Sequence, residues 1–247
     1  MRVWVVLPAY NEAENLPAIF NQFKKVAEDT YNLSLHVLLV DDGSSDNTPE
    51  AAIQSAADIP LEVLRNEKNV GLAETFRRGI IAAAGRAQAD DVIVCMDADN
   101  SHVPGQILHM VRNIQEGRDA VIASRYQPGA IVKGVPFLRR VLSRGMSLLF
   151  RVVYPIKGVR DYSCSYRAYR AGLLQRAVAA QGQRLFATEG FACMVGILLR
   201  LDKEGAVFGE VPLVLRYDLK VGASKMKVGS TIIETLLVLL RERLNKN

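Results

Sequence analysis

The sequence predicts an α/β fold in which helices flank a mostly parallel β-sheet, and three observations support this. The length of 247 residues suits one large domain. In the first half, short apolar runs alternate with helical patterns, as in chains built from crossover units. The apolar runs are continuous, which is typical of strands that are covered on both faces.

The predicted elements of the first half follow in order along the chain. Runs of Val, Leu and Ile predict strands at Val3–Leu7, Leu35–Val40, Leu61–Leu64, Val92–Met96 and Ala120–Ala123. Helical patterns lie between them at Glu14–Asp29, Pro49–Ala57, Leu72–Gly85 and Pro104–Glu116. Helices of this length allow consecutive strands to run in the same direction.

The second half has a different character. Tyr126–Pro136 is rich in Gly and Pro and predicts a mobile loop. Helices are expected at Leu138–Val153, Arg167–Ala180 and Glu189–Asp202, and a strand or hairpin arm at Ala206–Leu215. We divide the chain into a main domain, residues 1–220, and a C-terminal region, residues 221–247. The C-terminal region comprises a basic loop, Gly222–Lys227, and an amphipathic helix, Val228–Arg243.

Composition limits the partners and the compartment. The net charge of +5 suits an anionic substrate or a membrane surface. A basic run interleaved with aromatic residues is lacking, so nucleic acid is not an expected partner. No stretch reaches the roughly 18 to 20 apolar residues that span a bilayer, and the N-terminus does not resemble a signal peptide. Three cysteines without paired spacing indicate a reducing compartment, so we expect a cytoplasmic protein.

Polar clusters follow three of the predicted strands. They occupy Pro8–Asn15, Asp41–Thr48 and Asp97–His102. Ligands of parallel sheets gather beyond the carboxyl ends of the strands, so we expect the three clusters to lie together. We expect His102 and His109 to be surface or helix-start residues.

The third cluster suggests a metal site. Asp97 and Asp99 are separated by one residue and can approach a single Mg²⁺ or Mn²⁺, which prefers oxygen ligands. Such an ion keeps positions for water and phosphate oxygens. The alternative interpretation is a solvated acidic turn or a helix cap before Pro104.

The other two clusters allow both a structural and a functional interpretation. Asp41–Thr48 suits a tight turn, with Thr48 as a helix cap, although a turn does not require two adjacent aspartates. A carboxylate there can accept hydrogen bonds from a ribose or a base. Pro8–Asn15 suits a loop and helix start, or a surface on which Tyr10 and Glu12 face the base of a bound nucleotide.

Four segments together resemble the family-2 inverting glycosyltransferases of GT-A fold, and within them the dolichyl- or polyprenyl-phosphate mannose synthase group. These segments are Pro8–Leu16, Val40–Thr48, Asn69–Gly79 and Asp97–Pro104. The similarity continues in the second half, at Ala123–Tyr126, Leu138–Gly145, Asp161–Arg167, Gly209–Pro212 and Gly222–Met226. The ordered set covers nearly the whole chain.

The resemblance implies a nucleotide-sugar donor site. The nucleoside would be bound by Pro8, Tyr10, Glu12 and Asp42. Mg²⁺ or Mn²⁺ would be bound by Asp97 and Asp99, with Asp97 also at the donor and Ser101 within reach of the ion. Ser224 and Lys225 would close over the diphosphate. The family commonly has an arginine where this chain has Leu219, so Lys220 is the candidate to replace that charge.

The resemblance also implies a phosphorylated acceptor, bound by Arg125 and Arg139 beside Asp161. Arginine suits this task because its planar fork binds phosphate oxygens in pairs. The alternative is that Arg139 belongs to a solvated basic helix face. Asp161 is either a general base or a residue that positions an arginine or stabilises cationic character on the sugar. Near neutral pH a phosphate monoester is already mostly ionised, so it needs little proton abstraction.

The implied function is transfer of mannose or glucose from a GDP- or UDP-sugar to a polyprenyl phosphate, with inversion, at the cytoplasmic face of a membrane. A soluble acceptor and a non-catalytic nucleotide-sugar-binding subunit of a membrane complex, which would have a membrane-protein partner, are the alternatives. The terminal helix could lie in the membrane interface or pack against the main domain. For Cys164 we expect a core or pocket-lining thiol and not a nucleophile.

Overall fold

The computed structural model describes residues 1–30, 33–222 and 228–244. It contains a central sheet of seven strands in the order β3-β2-β1-β4-β7-β5-β8 and a two-stranded sheet, β6-β9. The strands are β1 (Arg2–Ala9), β2 (Ser34–Asp41), β3 (Leu61–Arg65), β4 (Val92–Cys95), β5 (Ala120–Ser124), β6 (Ile131–Lys133), β7 (Arg167–Arg170), β8 (Phe208–Pro212) and β9 (Val214–Arg216). Strand β7 runs antiparallel to β4 and β5, and the other paired neighbours in both sheets are parallel.

The helices cover the sheet. They are α1 (Leu16–Glu28), α2 (Thr48–Ala56), α3 (Leu72–Arg86), α4 (Gln106–Gln115), α5 (Phe137–Val153), α6 (Ala171–Gln181), α7 (Cys193–Lys203) and α8 (Val228–Leu244). Strands β1, β2 and β4 are buried along almost their whole length, as their continuous apolar sequences predict. Helix α3 approaches the sheet closely at Gly79, where an added Cβ would lie 2.4 Å from Val6 and 2.9 Å from Val40.

The predicted α/β class with a mostly parallel sheet is confirmed, and three local predictions are wrong. Thr48 was expected to cap a helix but is the first residue of α2, with Asn47 at the cap position. Arg167–Arg170 was expected to begin a helix but forms β7, and the helix begins at Ala171. Pairing to strands on both sides outweighs the local helix preference of this short segment. The loop expected over Tyr126–Pro136 contains β6, which is ordered by pairing with β9.

The C-terminal helix α8 packs against α5 and α7. Thr235, Val238 and Leu239 are buried, whereas Ile233 and Leu237 are exposed. Packing therefore accounts for one face of this helix. Among the described residues, no helix has the length and apolar character to cross a membrane. The division of the chain near residue 220 stays a prediction.

Candidate functional site

The three polar clusters meet at one edge of the sheet, around a cavity of about 570 Å³. Strands β1, β2 and β4 are adjacent and parallel, so their carboxyl ends lie side by side. Ten of the predicted site residues line this cavity: Pro8, Tyr10, Glu12, Asp42, Asp97, Asp99, Ser101, Arg125, Arg139 and Lys220. The predicted convergence is thus present in the structure.

At the carboxyl end of β4, serine hydroxyls orient both candidate metal ligands. The Ser101 hydroxyl donates to Asp99 Oδ1 at 2.5 Å, and the Ser165 hydroxyl donates to Asp97 Oδ1 at 2.9 Å. Desolvation raises the pKa of Asp97, and the negative charge of Asp99 adds to that shift. Two close carboxylates with these surroundings favour a bound cation.

A cation of the chain itself already lies at Asp99. The Lys220 ammonium is 2.6 Å from Asp99 Oδ2, and the two side chains are only 11% and 13% exposed. Burial works to raise the pKa of Asp99, but the charge and hydrogen bond of Lys220 outweigh it and hold that pKa below its usual value. The aromatic ring of Tyr217 lies under the same ammonium, 5.7 Å from its centroid.

The expected nucleoside end is built from the loops after β1 and β2. Asp42 is buried, and its carboxylate accepts hydrogen bonds from the backbone of Val70 at 2.9 Å and of Gly71 at 3.0 Å. It therefore also fixes the loop that leads into α3. The neighbouring Asp41 serves the turn instead, because it accepts from the Ser44 backbone and pairs with Arg65 at 3.3 Å.

Arg125 follows β5, on the other side of β7 from the two aspartates, and forms a bidentate pair with Asp161; we call this part of the site the arginine end. Arg125 Nε lies 2.7 Å from Asp161 Oδ2, and Nη2 lies 2.6 Å from Oδ1. The same carboxylate accepts the backbone N–H groups of Arg125, Ser163 and Cys164. Burial works against ionisation of Asp161, yet the Arg125 charge outweighs it and lowers the pKa of the carboxyl.

Arg139 lies on α5 across the cavity mouth. Its guanidinium is 5.3 Å from the Tyr217 ring centroid and donates to the Tyr217 hydroxyl at 3.3 Å. Arg140 and Arg144 of the same helix are exposed and also line the cavity. The arginine end is therefore formed by a rigid pair at its base and a more accessible group on α5.

The carboxylates fit a cation that is shared with a ligand, and not a closed protein cage. Asp97 and Asp99 both line the cavity, and a protein cation already contacts one of them. Within the described ranges, no group of three or more His, Cys, Asp or Glu side chains is placed to hold a metal. Mg²⁺ is commonly bound through one or two carboxylates together with substrate phosphates.

Several residues of the site were not identified from the sequence. His102 was expected at the surface or a helix start, but it is buried, stacks on Tyr166 and accepts the Asp97 backbone N–H at 3.1 Å. Ser165 and Glu210 lie in segments that resemble the family, but the sequence analysis assigned them no role. The order in which β4, β7 and β5 pair brings Ser165 to Asp97, and a motif spacing does not reveal this.

The expectation for Cys164 agrees with the structure. Its side chain is buried at the wall of the cavity, and burial raises the pKa of its thiol to about 12, as expected for a core or pocket-lining thiol. Ser224 and Lys225 lie outside the described residues, so their expected position over the diphosphate stays a prediction.

Comparison with known proteins identifies the class. Residues 4–177 match the model of Glycosyl transferase family 2. The chain belongs to this family, which confirms the resemblance seen in the sequence. It is a glycosyltransferase.

Three curated relatives are similar over most of the chain. They are a dolichol-phosphate mannosyltransferase of Pyrococcus furiosus (33% identity), a polyprenol monophosphomannose synthase of Mycolicibacterium smegmatis (31%) and an undecaprenyl-phosphate mannosyltransferase of Micrococcus luteus (32%). These alignments cover 96%, 95% and 93% of this chain. The chain spans 62% of the length of the Pyrococcus relative, and 84% and 89% of the other two.

Among solved structures, a glucosyl-3-phosphoglycerate synthase of Mycobacterium tuberculosis is similar with a TM-score of 0.68. The match has 19% sequence identity and covers 98% of this chain and 78% of that one. That protein was solved with Mn²⁺, UDP and phosphoglyceric acid. At this identity the likeness concerns the GT-A fold.

Proposed function

We propose that this glycosyltransferase moves a hexose, mannose or glucose, from a GDP- or UDP-sugar to a polyprenyl phosphate, with inversion at the anomeric carbon. The names of the three curated relatives support this acceptor class. One observation carries the proposal: a single cavity is lined by two aspartates that follow β4 and by arginines that follow β5 or lie on α5. A donor diphosphate with its cation and an anionic acceptor can therefore bind beside each other in it.

The donor end binds the nucleotide diphosphate through charge. Asp97 and Asp99 would hold Mg²⁺ or Mn²⁺, and the bound ion would neutralise charge on the leaving diphosphate. Lys220, which contacts Asp99 in the structure, would be available to the diphosphate once a divalent ion occupied that carboxylate. Tyr10, Glu12 and Asp42 orient the nucleoside. These groups hold the sugar with its anomeric carbon toward the arginine end.

The acceptor end binds and orients a phosphate. Arg139 provides an accessible guanidinium for the phosphate oxygens, and Arg125 provides a second one at the base. The acceptor oxygen arrives largely ionised, so Asp161 does not need to remove a proton. Asp161 already accepts five hydrogen bonds, three of them from Arg125, and we assign it the role of positioning that arginine.

A membrane surface fits the outer face of α5. This helix carries exposed apolar side chains, and α8, which packs against it, exposes two more: Phe137, Leu138, Val141, Leu148 and Val152 on α5, and Ile233 and Leu237 on α8. Phe137 and Val152 are 79% and 73% exposed, so neither side chain packs against the rest of the described chain to any large extent. Arg140, Arg144 and Arg151 lie on the same helix and suit anionic lipid headgroups. Contact with the cytoplasmic face of a membrane would bring the lipid phosphate to Arg139.

A transfer assay tests the proposal. Radiolabelled GDP- and UDP-sugars are incubated with polyprenyl phosphate and Mg²⁺, Mn²⁺ or EDTA, and the lipid phase is counted. We expect metal-dependent label with one donor, and its loss in Asp99→Ala. If label appears only with a soluble phosphorylated acceptor, that compound and not the lipid is the acceptor. Binding without any transfer would instead favour a nucleotide-sugar-binding subunit.

A further inference from the structure

The segment Asp161–Ser165 lies between the two ends of the cavity, and sheet topology places it there. Strand β7 is inserted antiparallel between β4 and β5, so it begins where those two strands end. Cys95 pairs with Arg167, and the Ala123 backbone N–H donates to the Tyr166 carbonyl at 2.9 Å. The residues just before β7 therefore separate Asp97, which follows β4, from Arg125, which follows β5.

This segment, which we name the 161–165 bridge, contacts a candidate ligand-binding group at each end. At its start, Asp161 holds the Arg125 guanidinium through two side-chain contacts of 2.7 and 2.6 Å. At its end, the Ser165 hydroxyl donates to Asp97 Oδ1 at 2.9 Å. Five consecutive residues thus connect the donor carboxylate to the acceptor arginine.

The bridge is anchored from below by Arg167, whose side chain is fully buried. Its guanidinium donates to the carbonyls of Tyr162 at 2.6 Å, Cys164 at 2.7 Å and Met194 at 2.6 Å. The guanidinium is planar, so these contacts fix the two bridge carbonyls relative to each other. A buried charge that lost these acceptors would be costly, so the bridge residues keep their positions relative to one another and respond as one unit.

Ser101 orients the Asp99 carboxylate in the same way that Ser165 orients that of Asp97. Asp99 Oδ1 accepts from Ser101 as Asp97 Oδ1 accepts from Ser165. Each aspartate thereby directs Oδ2 elsewhere: that of Asp99 lies beside the Lys220 ammonium, and that of Asp97 lies 3.9 Å from His102 Nε2. Hydrogen bonds of this kind fix the geometry of a ligating carboxylate.

We propose that Ser165 is a positioning residue which orients Asp97 for the cation of the donor complex, and that the 161–165 bridge couples the two binding ends. Because Arg167 holds the bridge together as one unit, ordering of Asp97 by the cation also orders Asp161 and Arg125. Nucleotide with cation and acceptor phosphate therefore each tighten the binding of the other. The coupling, though not the effect on cation binding, rests on the function proposed above.

The first test measures Mn²⁺ binding by calorimetry in the presence of a saturating nucleoside diphosphate, GDP or UDP. In Ser165→Ala we expect the Mn²⁺ affinity to fall about 10-fold or more, the usual effect of removing a hydrogen bond to a metal ligand. Ser165→Thr keeps the hydroxyl and should restore it. Ser34→Ala is the matched control, because Ser34 lies at the opposite end of the sheet beside Arg2. An affinity in Ser165→Ala within twofold of wild type overturns the proposal.

The second test measures coupling with a short-chain prenyl phosphate as acceptor probe. Its dissociation constant is determined without nucleotide and with nucleoside diphosphate and Mn²⁺. We expect the ratio to be about fivefold or greater in the wild type and close to one in Ser165→Ala. The constant without nucleotide should be unchanged by the substitution. A ratio that Ser165→Ala leaves unchanged contradicts the coupling.

Failure of the proposed function gives a different pattern. A wild-type protein that binds Mn²⁺ and nucleotide but not prenyl phosphate would exclude the lipid acceptor and the coupling to it. The Mn²⁺ measurement would still decide whether Ser165 orients Asp97.

Discussion

Replacing Lys220 by methionine should strengthen the binding of Mn²⁺ when no nucleotide is present. In the wild type the ion must first displace the ammonium, which lies 2.6 Å from Asp99 Oδ2. Methionine has a similar length and no charge, so it removes this competition. It also removes the cation expected to contact the diphosphate, so binding of nucleotide together with Mn²⁺ should not improve and should weaken.

The size of the effect follows from burial. Exposed ion pairs contribute between about 0 and 1 kcal/mol, whereas breaking a fully buried pair by removing one partner costs about 3 to 5 kcal/mol. Side chains that are 11% and 13% exposed lie between these limits, so about 2 kcal/mol is a reasonable value for this pair. A difference of 1.4 kcal/mol is tenfold in affinity, so Mn²⁺ alone should bind roughly 10- to 30-fold more tightly.

Calorimetry or Mn²⁺ electron paramagnetic resonance measures this directly, without turnover. Thermal unfolding adds an independent measurement: Lys220→Met should melt at a lower temperature than wild type without metal, and Mn²⁺ should recover the loss. Lys157→Met is the matched control, because Lys157 is exposed and does not line the cavity. Equal or weaker binding of Mn²⁺ alone to Lys220→Met would refute the displacement.

Three further predictions concern other parts of the molecule. Asp161→Asn should lower the stability by about 2 to 3 kcal/mol, because it leaves the partly buried Arg125 without its counter-charge. The folded-state pKa of Asp161 is lowered, so its contribution to the free energy of unfolding is present above the unfolded pKa near 3.9 and is lost as the pH falls below that value. Acid unfolding of the wild type and of Asp161→Asn would detect this loss. Thiol alkylation at pH 7 should leave the transfer rate unchanged, because Cys164 is buried and its pKa is raised to about 12; inactivation that Cys164→Ala prevents would contradict this. Val152→Glu should reduce sedimentation with anionic vesicles by several-fold while Glu116→Gln does not, and equal binding would remove α5 from the membrane contact.

The donor half of the site could be predicted because it depends on local sequence. Three apolar strands each end in a polar loop, and parallel neighbours place those loops side by side. Asp42, Asp97 and Asp99 were identified on this basis, and all three line the cavity. Strand boundaries were close for the same reason, since a continuous apolar run reports burial on both faces.

The acceptor half was less accessible to prediction because it depends on a distant strand. The sequence Arg167–Arg170 has no strong strand signal. It is a strand because it pairs with β4 and β5. The consequences of that pairing, namely Ser165 at Asp97 and Asp161 at Arg125, are contacts across 68 and 36 residues. Glu210 similarly accepts the Asp161 backbone N–H at 2.7 Å from β8, a contact that no motif spacing suggests.

The two ion pairs of the site differ in a way that assigns them different tasks. Arg125 is held to the fully buried Asp161 by a fork of contacts that would have to break together. Lys220 is held to Asp99 by one contact from a flexible chain. Exchange of the ammonium for a divalent ion would keep a cation at the carboxylate and release the ammonium for the diphosphate. The arginine pair is thus suited to stay fixed and the lysine pair to exchange, which is the arrangement a preorganised transfer site requires.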